Sequence, residues 1–117
     1  MHGSADHNVP VEGGVGPRGV SGIHNPPLEQ TLALFRAADG CPPKPATTTG
    51  APVEQRSWNC AAGRTVSVVI VDGAGHQWPG APPLGPVARA AGIFDEPSTA
   101  LNATDWLWTH LRDARAG

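Results

Sequence analysis

The stretch RTVSVVIVDGAGHQWPG, Arg64–Gly80, decides how this chain is built. Its first half, Arg64 to Val71, predicts a β-strand. Val66, Val68, Val69, Ile70 and Val71 are β-branched and leave neither face polar, the pattern of an interior parallel strand rather than an edge. The second half is a glycine-lined loop that carries His76 five residues beyond the end of the strand. Catalytic and ligand-binding groups of open α/β sheets gather at the carboxyl ends of strands, so His76 stands in a favourable place. The alternative for His76 is a surface histidine between turn glycines.

Working outward, Leu28 to Ala38 predicts an amphipathic helix. Pro27 opens it, Glu29 lies in its first turn and Gly40 ends it, while Leu28, Leu32 and Phe35 form an apolar stripe with Arg36 and Asp39 turned away. A last helix is expected from Ala103 to about Arg112, with Asn102 as N-cap, Asp105 at the third position, and Leu107, Trp108 and Leu111 as its inner face. Met1 to Pro27, Cys41 to Ala62 and the residues from Gly73 to about Ile93 are rich in glycine and proline and read as loops. One interior strand needs hydrogen-bonding neighbours on both sides. Either weak segments such as Gln55 to Trp58 pair with it, or the chain is a piece of a larger α/β sheet; the second reading is preferred.

At 117 residues the chain has room for one domain, and 15 glycines with 13 prolines outnumber its Val, Leu, Ile and Phe together. The net charge of −2 argues against disorder throughout, and the scattered arginines offer no footprint for nucleic acid. No apolar run reaches the roughly 20 residues of a membrane-spanning helix. Residues 1–10 have neither the basic start nor the apolar core of a secretory signal.

Cys41 and Cys60 flank a long irregular insert, and a disulfide there would pin it, contributing on the order of 3 kcal/mol. A cytosolic location would instead leave both as thiols. Asp6, in HGSADHNVP, is either a turn carboxylate or a functional acid. His2, Asp6 and His7 lack a recognised metal-ligand spacing, so no metal and no cofactor are expected.

Taken together, HGSADHNVPVEGG, the turn at Asp39–Cys41, Trp58 with Cys60, and above all GAGHQWPG resemble the C-terminal part of polyhydroxybutyrate depolymerases and the related feruloyl and acetylxylan esterases of the α/β-hydrolase superfamily. The resemblance covers nearly the whole chain and keeps the order of the motifs. It implies an α/β fold of which this chain is the last sheet strand, flanking helices and long loops. Asp6 would be the acid and His76 the base of a Ser-His-Asp triad, and Cys41 and Cys60 a disulfide partnership; Trp78, beside the base, would either pack against substrate or hold the loop. It also implies a secreted, extracellular or periplasmic parent enzyme and an ester or polyester substrate. Val11 stands where the family has an aromatic residue, and Ala74 interrupts the glycine triplet.

No GxSxG occurs in the 117 residues, and Ser4, Ser21, Ser57, Ser67 and Ser98 all lack the strand-to-helix elbow that exposes a nucleophile. The expectation is therefore an acid and base portion without hydrolytic activity of its own, a fragment that self-associates or is completed by a missing N-terminal half. A non-enzymatic binding or interaction module is the competing expectation.

Overall fold

The computed structural model describes residues 1–112 and shows a small mixed α/β domain. Its elements are β1 (His2–Gly3), α1 (Leu28–Ala38), β2 (Thr47–Thr48), β3 (Val53–Asn59), β4 (Thr65–Val71), α2 (Pro86–Ala91) and α3 (Ala103–Leu111). The sheet order is β1-β4-β3-β2, so the valine-rich strand is interior. The expectation of parallel pairing is corrected in part: β4 runs parallel to β1 but antiparallel to β3, in register from Val53 opposite Val71 to Asn59 opposite Thr65. The full-length neighbour is thus the segment around Gln55–Trp58. Its alternation of Glu54, Arg56 and Trp58 with Gln55, Ser57 and Asn59 hides a strand, because charged and amide groups occupy most of both faces. On its other side β4 has only Ile70 and Val71 opposite β1, and Thr65–Val69 meet no strand there among the described residues.

Both faces of β4 are covered, as its composition demands. On one face Val66 and Val68 pack with Leu32 of α1 and with Trp58, which is 1% exposed. On the other, Val69 and Val71 pack with Ala74, flanked by Val53, Leu101 and Trp106. The Cys41–Cys60 disulfide ties the end of α1 to the end of β3 on the Trp58 side. This core is thin: the Cα radius of gyration is 15.7 Å, against roughly 13 Å for a compact domain of this length.

The helices form where the sequence places them but are rotated relative to expectation. In α1 the inward row is Leu28, Leu32 and Arg36, whereas Phe35 is 60% exposed. Arg36 turns in because its guanidinium stacks 4.8 Å from the centre of the Trp58 ring and pairs with Glu29 at 2.9 Å. In α3 the cap is as expected, Asn102 Oδ1 accepting from Asp105 N at 3.1 Å. The inner face is Ala103 and Trp106, while Trp108 and Leu111 are exposed. The helix start is anchored by Ala103 N donating to Pro79 O at 2.9 Å, with Ala103 fully buried, and this sets the rotation. The loop expected to end near Ala88–Ile93 instead gives way to the short helix α2 from Pro86 to Ala91.

Candidate functional site

The C-terminal end of β4 and the end of its parallel neighbour β1 meet side by side, and each runs into a loop carrying one polar group. Past β1 the chain turns sharply: Ser4 N donates to Val71 O, Ala5 N to Ala74 O, and Asp6 Oδ1 accepts from Asn8 N and Val9 N, both at 2.9 Å. That is an Asx-type turn, which points the second carboxylate oxygen away from its own loop. Past β4 the backbone of Ala74 and Gly75 lies directly over Gly3; a Cβ on Gly3 would come within 2.1 Å of Ala74 O. Only a glycine permits this approach.

The two loops bring together residues 70 positions apart in sequence. His76 Nδ1 lies 2.8 Å from Asp6 Oδ2. Asp6 is 7% exposed, yet its ring partner is half exposed. Burial pushes the Asp6 carboxyl up, but the amide of Val9, the His76 ring and the amide of Asn8 together outweigh it and hold the group below the usual aspartate value. An ionised Asp6 only accepts, so Nδ1 is the donor of this contact, and the tautomer it selects for a neutral ring leaves the lone pair on Nε2. Among the described residues Nε2 has no protein partner. His2 approaches from the other side, its Nε2–H donating to Val9 O at 2.7 Å and lying 3.7 Å from Asp6 Oδ2.

A cavity of about 260 Å³ opens at this pair, lined among others by His2, Val9, Gln77 and Trp78. Trp78 is half exposed at its wall, and its Nε1–H donates to Thr104 Oγ1 at 3.1 Å, so the ring both faces the cavity and ties the loop to α3. Among the described residues no serine, threonine or cysteine lines the cavity. Ser4, the serine nearest Asp6 in sequence, has its hydroxyl committed: it donates to Asp72 Oδ1 at 3.0 Å and accepts from Gly73 N at 2.8 Å. Ser57 and Ser67 pair across the sheet at 2.8 Å. Cys41 and Cys60 are bonded to each other, leaving no free cysteine among the described residues. His7 does not join His2 and Asp6 in a metal-binding cluster, and no group of three metal-ligating side chains converges among the described residues.

Asp95 is the residue that sequence reading missed. Its Oδ2 accepts from His76 N at 3.0 Å, and its Oδ1 takes the Arg18 guanidinium. The bond from His76 N, opposed by burial and helped by Arg18, holds its carboxyl low. Nothing in FDEPS, 19 residues beyond His76, marks Asp95 as belonging to this loop. The nearest signal is Gly75, where an added Cβ would sit 2.2 Å from Asp95 Oδ2.

What the fold and site define is thus a small mixed α/β domain with a buried carboxylate on a half-exposed histidine at its strand ends. Comparison with protein-family models, with curated proteins and with solved structures finds no match.

Proposed function

We propose that this chain is the acid and base portion of a carboxylic ester hydrolase of the polyhydroxybutyrate depolymerase and feruloyl esterase type, with the nucleophile supplied from outside these 117 residues. The observation that carries this reading is the 2.8 Å contact between Asp6 and His76 at the mouth of a cavity. In the mechanism His76 Nε2 takes the proton of a serine hydroxyl as it attacks the ester carbonyl, then returns it to the leaving alcohol. Asp6 keeps the proton on Nδ1, orients the ring and stabilises the imidazolium. A carboxylate that stays ionised while buried suits this role, since it accepts from the ring without competing for the proton.

Two further features support completion by another segment. On the side of β4 facing away from β3, Thr65–Val69 pair with no strand among the described residues, and an unpaired strand edge is a liability unless covered. The disulfide suits an oxidising compartment, extracellular or periplasmic. The second reading, a binding or self-associating module, draws on α1, where Leu34 and Phe35 are 69% and 60% exposed.

The test begins with the genomic DNA immediately upstream, which is expected to encode a GxSxG between strand and helix patterns. Joined to these 117 residues, that segment should hydrolyse short hydroxyalkanoate or aryl esters, and His76→Ala should lower kcat by a factor on the order of 10³ or more. The 117 residues alone should stay at background. No such pattern in any frame, or turnover indifferent to His76→Ala, refutes the esterase reading.

A further inference from the structure

The site contains a closed ring of contacts that the acid and base pair does not itself require. Arg18 N donates to His7 O at 3.0 Å, which fastens Arg18 to the turn that carries Asp6. Its guanidinium then crosses to Asp95 Oδ1, with a second nitrogen donating to Gly92 O at 3.3 Å. Asp95 Oδ2 accepts from His76 N, and His76 Nδ1 returns to Asp6. Each link joins a different stretch: the Asp6 turn, the Arg18 turn, the segment after α2 and the His76 loop.

The His76 loop needs such a restraint. It is rich in glycine, and the His76 ring is half exposed, so packing does not hold it. The Asp95 side chain sits against this loop, close enough that a Cβ on Gly75 would come within 2.2 Å of its Oδ2. The Asp95 side chain is 20% exposed and that of Arg18 is 42% exposed, so the pair is a partly hydrated, charge-assisted hydrogen bond whose value lies in fixing geometry more than in raw stability. Arg18 and Asp95 line a second cleft with His7 and Glu96 and are not among the residues lining the Asp6–His76 cavity, so neither is placed to touch a substrate there.

We propose that the Arg18–Asp95 pair is a clamp that sets His76 in register with Asp6, Asp95 acting as a positioning residue for the base through the His76 amide. This rests on the acid and base reading of the pair. Its consequence is that the tautomer of His76 depends on a carboxylate that never touches the imidazole. When Asp95 is lost, the loop samples positions in which Nδ1 leaves Asp6, and the proton moves to Nε2.

The experiment is a long-range proton–nitrogen NMR correlation on the histidine-labelled 117-residue chain, above the pH at which the ring is charged. It reads the ratio of Nδ1–H to Nε2–H tautomers of His76. In the wild type Nδ1–H should dominate, and Asp6→Ala should reverse this. Asp95→Ala and Arg18→Ala should each shift the ratio toward Nε2–H by about tenfold, the loss of one charge-assisted hydrogen bond. Amide exchange of Val66–Val71 controls for folding and should stay as in the wild type, because β1 and the Ala5–Ala74 bond still join the two loops. A ratio within about twofold of wild type in Asp95→Ala overturns the clamp. So does a shift accompanied by an equal loss of β4 protection, which would make Asp95 a general structural residue. If Asp6→Ala itself leaves the ratio unchanged, the acid and base reading fails.

Discussion

Replacing Asp6 by alanine removes the one group on which both halves of the site close. Its Oδ1 holds the amides of Asn8 and Val9 at 2.9 Å each, and its Oδ2 holds His76 at 2.8 Å. Hydrogen bonds to a charged group contribute about 1.5–3 kcal/mol each. The two amides are only partly buried and regain some water, so the lower end applies to them. The pair with His76 adds little, because the ring is half exposed and screened. The expected cost of Asp6→Ala at pH 7 is therefore about 2–4 kcal/mol; Asp6→Asn, which keeps an acceptor for the turn, should cost about 1 kcal/mol. The sign with pH follows from the depressed carboxyl of Asp6. Its contribution is complete above the unfolded value, about 4, and is lost as the pH falls through the lower folded value. Urea denaturation followed by tryptophan fluorescence, at pH 7 and in steps below pH 4, measures the gap between wild type and Asp6→Ala. The gap should narrow on acidification. A cost under about 0.5 kcal/mol at pH 7, or a gap that widens in acid, would refute the reasoning.

Trp58→Ala should destabilise the fold by about 3–5 kcal/mol by emptying the α1 side of the sheet, whereas Trp108→Ala should fall within about 0.5 kcal/mol of wild type; the same urea titration distinguishes them, and equal effects would show the core misplaced. Gly3→Ala should cost more than about 2 kcal/mol, since its Cβ meets the Ala74 carbonyl. Gly50→Ala, with nothing within 4 Å of the added atom, should be near neutral, and thermal melts of the two variants are the check.

Much of this architecture is legible along the chain because it depends on local pattern. The β-branched run of Val66–Val71 has no solution but burial on both faces. Leu28–Ala38 and the Asn102 cap with Asp105 state their helix boundaries through proline, charge and capping chemistry that act within a few residues. Cys41 and Cys60 carry their meaning in their placement around an insert too long to order itself. The strand Val53–Asn59 is not legible, because its evidence lies in its partner: Trp58 is apolar for the helix above it, and Ser57 is polar for Ser67 across the ladder.

The same division runs through the site. Sequence alone singled out the candidate residues, Asp6 in its turn and His76 beyond the strand, because residue type and local loop form are written locally. It also determined that no GxSxG serine stands among these 117 residues. Only the tertiary structure decided that the two groups meet at 2.8 Å, that Arg36 rather than Phe35 faces Trp58, and that Asp95 and Arg18 hold the His76 loop. Those facts depend on the parallel seating of β1 against the end of β4 and on the rotation of each helix about its axis. Both are set by close backbone approach and by pairs distant in sequence, and no periodicity along the chain encodes the distance between two loops.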